Sequence, residues 1–327
     1  MKVYVALPEG IRAVLFDDAT WRRLEGLAQV EVLAEGASSL PADLCATCDV
    51  LVTGWGTPRL ERIDGDRLRL IVHTAGSWRE ALGEEVLAST VDIAQAGSDP
   101  MARAVAEFAL TLELALLREL HTYDRGLQTT RDWARSRAPE YGTGIHSLRH
   151  GIVGLSRVGI WHARMLRGLG CEDLVAFDPY CPDERAAQLG VRLVSLDEVM
   201  ASPVVALHAP VTPETRGMVG AAQLARIPDG GVLLNTARAA IVDMEALERE
   251  LVSGRLRAGL DVFAQEPLSP QSALFGLPNV ILTPHVAGAT TGARLEQGAA
   301  AVEEIGRFAA GEPLRTLIVK ETAGQLS

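Results

Sequence analysis

A glycine-rich segment between an apolar run and a helical stretch is the first candidate site. Residues 151–159 read GIVGLSRVG, with glycines at 154 and 159 and a serine at 156. A dinucleotide pyrophosphate needs a tight turn, a close approach of the main chain and a helix N-terminus with free N–H groups. Gly154 can form the turn and Gly159 can let the helix pack closely on a sheet. Ser156 replaces the usual middle glycine and leaves less room. The segment predicts a dinucleotide-binding turn.

An acidic residue follows this turn at the spacing that such a unit requires. Asp178 ends the next predicted strand, about 20 residues beyond the turn. Its carboxylate can accept hydrogen bonds from the adenosine ribose and would repel a 2′-phosphate. Because Pro179 and Tyr180 follow, rather than arginine or lysine, the sequence favours NAD over NADP. An ordinary strand–turn–helix unit without a ligand is the alternative.

Three further segments follow in the same half of the chain. They read LHAPVTPETR at 207–216, LNTAR at 234–238, and DVFAQEPL at 261–268 followed by TPHVAG at 283–288. In order and approximate spacing, these segments and residues 153–159 resemble the D-2-hydroxyacid dehydrogenase family, which includes phosphoglycerate, glycerate and D-lactate dehydrogenases. The first hundred residues match that family more loosely.

The resemblance implies a catalytic set of one histidine, one glutamate and one arginine. Reduction of a 2-keto acid needs a hydride donor, a proton donor for the forming alkoxide and a cation for the carboxylate. His285 is the candidate acid and base because imidazole titrates near neutrality. Glu266 would accept a hydrogen bond from its other ring nitrogen. Arg238 would bind the carboxylate and the carbonyl oxygen through its planar guanidinium. Taken singly, a histidine at a strand end is more often structural than catalytic, Arg238 could form a surface ion pair, and Glu266 could be a helix or turn residue.

The same resemblance assigns contacts with NAD. Asp261, at a strand end, would accept the N–H of the nicotinamide carboxamide and help to stabilise the oxidised ring. His208 lies in a segment that usually lines the cofactor. The predicted cofactor-binding residues are Gly154, Ser156, Arg157, Val158, Gly159, Asp178, His208, Ala209, Pro210, Thr236, Ala237, Asp261 and Gly288.

Predicted substrate contacts lie in the first hundred residues. Ala75, Gly76 and Ser77 fall where the family has a loop whose backbone N–H groups bind the substrate carboxylate. Trp78 stands in place of a second glycine, so it either walls the pocket or points into the core. Trp55 is a second aromatic candidate with the same two alternatives. These departures leave the identity of the acid open.

Other reactive side chains are given no catalytic role. Cys45 and Cys48 have a Cys-x-x-Cys spacing, but a zinc site would need a second pair of ligands at suitable spacing, and the sequence has none. We therefore expect both to pack beside the strand at 50–53, and we expect no metal site. The histidines predicted to be surface or packing residues are His73, His121, His146, His150 and His162, with His73 a lesser candidate because it precedes the substrate loop.

The elements that must position these residues alternate along the chain as short apolar runs and helical stretches, a pattern typical of parallel α/β folds. Predicted strands are 3–7, 30–33, 50–53, 70–73 and 91–95, then 151–153, 174–177, 191–194, 204–207, 232–235, 258–262 and 280–283. Predicted helices include 18–27, 78–87, 100–120, 158–168, 244–252 and 294–309.

The resemblance also implies the domain organisation. Two Rossmann-like α/β domains, each with a doubly wound parallel sheet, would flank a deep cleft. Residues 1–99 plus 289–327 would form a discontinuous substrate domain, because the last helix packs back on the first segment, and residues 100–288 would form the NAD-binding domain. A homodimer joined through the cofactor domain is expected.

Composition limits the partners and the compartment. The 327 residues are 48% hydrophobic and 22% charged, with a net charge of -11. That acidic balance argues against nucleic acid and anionic membranes as partners. The sequence has no apolar run of about 18 residues, as a membrane span would need, and the N-terminal apolar run is too short for a signal peptide. Four cysteines suit a reducing compartment, so we expect a cytoplasmic protein that binds a small 2-keto or 2-hydroxy acid.

Two alternatives stay open. A relative that oxidises formate or phosphite shares these motifs, but a formate enzyme would be longer and would carry glutamine near Glu266. An NAD(H)-sensing binding protein, similar to the C-terminal-binding corepressors, can retain the same three catalytic residues. The acidic charge is the main sequence feature against that second alternative.

Overall fold

The computed structural model describes residues 1–137 and 142–318. The chain divides into two compact units, Met1–Ala102 with Ala289–Ser327 (unit 1) and Arg103–Gly288 (unit 2). The strands are β1 Lys2–Val5, β2 Gln29–Val32, β3 Val50–Thr53, β4 Leu70–His73, β5 Asp92–Ala94, β6 His150–Val153, β7 Leu174–Phe177, β8 Arg192–Leu193, β9 Val204–Leu207, β10 Val232–Asn235, β11 Arg257–Leu260 and β12 Val280–Leu282.

The helices vary widely in length. They are α1 Glu9–Leu15, α2 Asp18–Leu27, α3 Leu44–Thr47, α4 Glu84–Ala88, α5 Ser98–Leu117, α6 Leu120–Thr130, α7 Trp133–Ser136, α8 Arg157–Gly168, α9 Asp183–Gln188, α10 Leu196–Met200, α11 Ala221–Leu224, α12 Met244–Val252 and α13 Thr291–Ala310. In the described parts of the chain, no helix is both long and apolar enough to cross a membrane.

Unit 1 is built on a parallel five-stranded sheet with the order β2-β1-β3-β4-β5. Every residue of β3 and β4 is buried, as expected for central strands with both faces covered. The last helix, α13, packs on α1 and α2. Gly298 permits this approach, since a Cβ atom there would lie 1.8 Å from the carbonyl oxygen of Leu15.

Unit 2 is built on a parallel seven-stranded sheet with the order β12-β11-β10-β9-β6-β7-β8. The chain runs outward from β6 through β7 to β8 and then returns to start the other half at β9. The carboxyl ends of β6 and β9 therefore flank the point where the strand order reverses, which is where open α/β sheets bind ligands. The α/β class with two parallel sheets, expected from the sequence, is confirmed.

Two predicted helices differ from those observed. The helix predicted over 78–87 is wrong in its first half, because α4 begins only at Glu84. The indole of Trp78 is 2% exposed, and the N–H of Leu82 bonds to the carbonyl of Trp78 in a tight turn. The helix predicted over 100–120 ends at Leu117, since Glu119 has a φ of 53° and separates α5 from α6. The burial of Trp78 overrides the helical periodicity in the first case, and the left-handed conformation of Glu119 overrides it in the second.

Candidate active site

An imidazole and a carboxylate in unit 2 form a close pair near the carboxyl ends of β11 and β12. Nδ1 of His285 lies 2.7 Å from Oε2 of Glu266, and Oε1 of Glu266 accepts the N–H of Phe263 at 3.0 Å. Partial burial alone would raise the pKa of Glu266, but these hydrogen bonds outweigh it and lower the pKa. The His285 side chain is 48% exposed. Its Nε2 is therefore available to a substrate.

The turn that carries His285 is fixed by a buried aspartate. His285 has a φ of 53°, a left-handed conformation that costs energy for a residue with a side chain. Asp261 is fully buried and accepts three hydrogen bonds from this turn, from the Thr283 hydroxyl at 2.6 Å and from the N–H groups of Val286 and Ala287 at 2.9 Å each. The carboxylate predicted to face the nicotinamide therefore also holds the histidine turn.

Arg238 follows β10 and belongs to the same charge cluster. The side chain of Asn235 clamps its turn, donating to the carbonyl of Arg238 and accepting from the N–H of Ala237, each at 3.1 Å. The guanidinium donates to the carbonyl of Ala237 at 2.7 Å and contributes to the lowered pKa of Glu266. The structure thus brings together the three predicted catalytic side chains in unit 2.

A cavity of about 540 Å³ adjoins the histidine–glutamate pair. Apart from the polar groups of His285 and Glu266, its walls are mainly apolar. The lining includes Phe263, Leu268, Phe275 and Leu282. The pair therefore lies at the edge of a mainly apolar cavity and remains open to solvent.

The glycine turn has the geometry that a pyrophosphate site requires. Gly154 has a φ of 93°, and a Cβ atom there would lie 2.6 Å from the N atom of Ala209. At Gly159 a Cβ atom would lie 2.1 Å from the carbonyl oxygen of Gly154. Ser156 is the N-cap of α8 but makes no capping hydrogen bond, so its hydroxyl and the first N–H groups of the helix suit an anion.

Asp178 is bound to the glycine turn rather than standing apart from it. Its Oδ2 accepts the N–H of Leu155 at 2.7 Å, and its Oδ1 accepts from Tyr180 at 2.9 Å and Cys181 at 3.1 Å. A carboxylate offers about four acceptor positions, so capacity remains for a ribose hydroxyl. The half-buried Asp178 can hold the turn and a dinucleotide together.

The other predicted cofactor residues lie at the carboxyl ends of neighbouring strands of this sheet. Ala209 and Pro210 follow β9, where the Thr215 hydroxyl fixes the loop by donating to the Pro210 carbonyl at 2.6 Å. Thr236 follows β10, and its buried hydroxyl has no hydrogen-bond partner among the described residues. An unpaired buried hydroxyl and a turn that excludes side chains both fit a dinucleotide. The remaining members of the set are Arg157 and Val158 at the start of α8, His208 directly after β9, Ala237 after β10, and Gly288 at the end of unit 2.

In unit 1, the predicted substrate loop follows β4, at the side of the sheet where the strands have their carboxyl ends. The N–H groups of Ala75, Gly76 and Ser77 bind no backbone acceptor within the described residues. The Gln95 side chain donates to the carbonyl of Gly76 and holds the loop. Free N–H groups on a tethered loop suit a carboxylate.

The two tryptophan candidates differ. Trp78 does not wall a pocket, because its side chain lies in the apolar core of unit 1. Trp55 is half-buried and carries the guanidinium of Arg294 stacked 3.7 Å from its ring centroid. Nη1 of Arg294 is buried and has no partner among the described residues, and burial lowers the pKa of Arg294. Sequence reasoning missed Arg294, since an arginine on an amphipathic helix carries no signal of its own.

The cysteines and most histidines lie outside these sites. Cys45 and Cys48 are buried free thiols in the core of unit 1, and burial raises the pKa of Cys48 to about 12. His73 bonds to Thr53, and burial lowers the pKa of His73 to about 4, so it is a neutral core residue.

Two histidines predicted to be surface or packing residues have a more specific role. His150 and His162 are each 1% exposed, and both contact Glu113, which is fully buried. Sequence reasoning missed this cluster because its members lie on separate elements. No spacing rule joins a mid-helix glutamate to distant histidines.

Unit 2 is thus a dinucleotide-binding Rossmann unit that carries a histidine–glutamate pair and an arginine. Residues 110–287 match the family model described as D-isomer specific 2-hydroxyacid dehydrogenase, NAD binding domain. The chain belongs to the D-isomer specific 2-hydroxyacid dehydrogenase family. The resemblance and the cofactor NAD expected from the sequence are confirmed.

Relatives of established name support this placement. The chain is 37% identical to a D-3-phosphoglycerate dehydrogenase of Archaeoglobus fulgidus over 65% of its own length and 40% of the relative's. It is 34% identical to a glyoxylate reductase of Korarchaeum cryptofilum over 66% of each chain. The matches therefore span well under half of that phosphoglycerate dehydrogenase. A D-lactate dehydrogenase structure from Treponema pallidum shares the fold, with a TM-score of 0.76, 24% identity, and coverage of 97% of this chain and 99% of that one.

Proposed function

We propose that the chain is an NAD-dependent D-2-hydroxyacid dehydrogenase, which moves a hydride between the nicotinamide and C2 of a small 2-hydroxy or 2-keto acid. The observation that carries this proposal is the 2.7 Å contact of His285 with Glu266, with Arg238 in the same cluster. The glycine turn, Asp178 and the unpaired Thr236 hydroxyl support NAD as the cofactor, which supplies the hydride when bound.

Each catalytic side chain has one task. In the reducing direction, Nε2 of His285 gives its proton to the alkoxide oxygen that forms at C2, and in the oxidising direction it removes that proton. Glu266 accepts the hydrogen bond from Nδ1, so it orients the ring and stabilises its charged form. Arg238 binds the carboxylate and polarises the carbonyl. A positioned donor of this kind contributes about 3 kcal/mol to barrier lowering.

We assign substrate binding to unit 1. The free N–H groups of residues 75–77 suit the substrate carboxylate, and the unpaired Arg294 above Trp55 supplies a cation at the same end of the sheet. Trp55 follows β3 and the loop follows β4, and these parallel strands are neighbours. In this assignment residues 1–99 with 289–327 form the substrate domain, and 100–288 form the NAD domain.

We also propose a cytoplasmic homodimer joined through the NAD domain. The free thiols Cys45 and Cys48 suit a reducing compartment. Trp133 on α7 is 76% exposed and Leu120 on α6 is 62% exposed, which is unusual for large apolar side chains. Light scattering of the native chain and of Trp133→Ser tests this: a native monomer would contradict the dimer.

The test of the activity is NADH absorbance with pyruvate, glyoxylate, hydroxypyruvate, phenylpyruvate and phosphonopyruvate. We expect turnover with at least one acid and its loss in His285→Ala. Tight NADH binding without turnover on the whole panel would favour an NAD(H)-sensing protein instead.

Arg294→Leu should raise the KM of the acid about tenfold and leave the KM of NADH unchanged; an unchanged KM for the acid would remove Arg294 from the site.

A further inference from the structure

Four titratable side chains form a line of contacts behind the glycine turn of unit 2. Glu113 on α5 is fully buried, His150 on β6 and His162 on α8 are each 1% exposed, and His208 after β9 is 5% exposed. We call these four residues the buried relay. None of them takes part in the chemical steps proposed above, and they come from four separate elements.

The inner end of the buried relay is an ion pair. Nε2 of His150 lies 2.8 Å from the carbonyl oxygen of Ile145, and its Nδ1 lies 2.7 Å from Oε1 of Glu113, a charge contact without hydrogen-bond geometry. Both neighbours are acceptors, so both ring nitrogens carry protons and His150 is an imidazolium. Burial alone would raise the pKa of Glu113, but contacts with His150 and His162 hold it at about 2. Burial lowers the pKa of His150, and Glu113 reverses that shift and raises it.

At the outer end of the buried relay, the charge of His150 determines which tautomer His208 adopts. Nε2 of His162 lies 3.1 Å from Oε2 of Glu113 and therefore carries a proton. Because Glu113 is already paired with His150, one proton on His162 satisfies both of its contacts: its Nδ1 then accepts the N–H of His208 Nε2, which lies 2.9 Å away. His208 then has its proton on Nε2 and a lone pair on Nδ1. Burial lowers the pKa of His208 well below its ordinary value, so this ring is neutral.

The residue that bears this lone pair lies beside the glycine turn. Nδ1 is the ring nitrogen nearest the main chain, it is buried, and it has no partner among the described residues. The main chain of His208 abuts the turn: a Cβ atom at Gly154 would lie 2.9 Å from the carbonyl carbon of His208. The N–H of His208 donates to Val153 at 2.7 Å. Buried polar atoms in native proteins usually have partners, so this acceptor points to an O–H or N–H donor on a ligand.

The four side chains of the buried relay are arranged as a line and not as a metal cage. Within the described residues, no three His, Cys, Asp or Glu side chains are placed to hold a metal ion. Two further titratable groups face the relay. Asp173 helps to raise the pKa of His150 but is paired with Arg149 at 2.9 Å. Cys171 is a buried thiol whose pKa is raised by burial and by Glu113. Neither contributes a charge that would alter the tautomers derived above.

We propose that Glu113, His150 and His162 are positioning residues for the cofactor, which hold His208 in the tautomer whose Nδ1 accepts a hydrogen bond from the bound dinucleotide. Suitable donors are the ribose hydroxyls and the carboxamide N–H. This inference rests on the proposed function only in naming the ligand. It adds three residues that touch neither cofactor nor substrate.

The charge of His150 offers a way to invert the tautomer. In His150→Leu, the carboxylate of Glu113 loses its cation, and the site takes up one proton from solvent. His162 then becomes an imidazolium whose Nδ1–H donates to Nε2 of His208, and the proton of His208 is carried on Nδ1. Nδ1 of His208, an acceptor in the native chain, is therefore a donor in His150→Leu. His150→Lys keeps a cation beside Glu113, so it preserves the native tautomers.

The experiment combines ring protonation with cofactor affinity in the full chain. Nitrogen-15 NMR of the labelled histidines, assigned by single substitutions, reports which nitrogen of each ring carries a proton. NADH fluorescence gives the dissociation constant. We expect a lone-pair shift for His208 Nδ1 in the native chain and His150→Lys, a protonated shift in His150→Leu, and about a tenfold weaker Kd in His150→Leu and His162→Leu, from the loss of one hydrogen bond. His146→Leu, at an exposed position, is the matched control and should bind NADH normally.

Three outcomes overturn the inference. A protonated Nδ1 on His208 in the native chain does so without any variant, so the test survives if His150→Leu fails to fold. An unchanged NADH dissociation constant in a folded His150→Leu with an inverted tautomer would separate the relay from the cofactor. A Kd raised as much in His150→Lys as in His150→Leu would show that packing, not charge, matters. If NADH affinity follows the relay but no 2-keto acid is turned over, the proposed function fails and the relay stands.

Discussion

Among the described residues of unit 2, the imidazole–carboxylate pairs His285–Glu266 and His150–Glu113 have equal contact distances and opposite surroundings. His285 and Glu266 are 2.7 Å apart, with side chains 48% and 38% exposed. His150 and Glu113 are also 2.7 Å apart, but 1% and 0% exposed. The exposed ring has one protein partner and a free nitrogen, whereas the buried ring has acceptors at both nitrogens. The two contact distances are equal, so the difference that suits His285 to the proposed acid–base role is its free ring nitrogen, which His150 lacks.

Burial also changes what each pair contributes to stability. An exposed pair contributes about 0–1 kcal/mol, since solvent screens it. Removing one member of a buried pair costs about 3–5 kcal/mol, because the other charge is left unpaired. The exposed pair should therefore govern activity and the buried pair stability.

The largest expected effect is on catalysis at the exposed pair. His285→Ala removes the proton donor, so kcat should fall about 10²–10⁴-fold while NADH affinity is retained. Single-turnover absorbance at saturating NADH measures this. His146→Ala, an exposed histidine in the same unit, is the control. Retention of most of the native rate by a folded His285→Ala would end the catalytic assignment.

The next effect is on stability at the buried pair. Glu113→Leu leaves the imidazolium of His150 unpaired, so the free energy of unfolding should fall by about 3–5 kcal/mol. The matched variant Glu266→Leu should change it by about 1 kcal/mol or less. Urea unfolding followed by circular dichroism compares the two. Equal losses would show that burial does not separate the pairs.

The pH dependence of stability sharpens the same contrast. The lowered pKa of Glu113 contributes stability that is present above pH 4.5 and is lost as pH falls towards about 2. The raised pKa of His150 contributes stability that is present below pH 6.5 and is lost as pH rises through its raised value. Glu113→Leu combined with His150→Leu should remove both dependences. Melting temperatures of the two chains from pH 3 to 8 test this: parallel curves would contradict it.

The smallest effect concerns a carboxylate of intermediate burial. Asp178→Ala removes the group that repels a 2′-phosphate, so the preference for NADH over NADPH should fall about tenfold. The ratio of kcat/KM values for the two cofactors measures this. Equal use of both by the native chain would refute the role of Asp178.

The sequence predicted residues that act through local motifs. The glycine turn, Asp178 and the order of the strands follow from patterns of a few residues, because strand, turn and helix must succeed one another there. The family resemblance supplied His285, Glu266 and Arg238 as a set. The structure then showed that Asp261 accepts three hydrogen bonds from the turn that carries His285. Neither the spacing nor the motif could reveal these bonds.

What the sequence did not predict depends on contacts between distant segments. Trp78 reads equally as pocket wall or core, and only the packing of unit 1 decides for the core. Arg294 and Trp55 are 239 positions apart and meet face to face. In the sequence, Glu113 and His162 are polar residues on two amphipathic helices and indicate no contact. The structure shows that both are buried and lie 3.1 Å apart.

Gly298 has a consequence for how the chain is made. The close seat of α13 against Leu15 means that unit 1 is finished only when its last helix has been synthesised. Unit 2 is contiguous and can fold as soon as it leaves the ribosome, since domains generally fold as units during synthesis. Strands β1 to β5, although synthesised before unit 2, complete their packing only after α13 has been made.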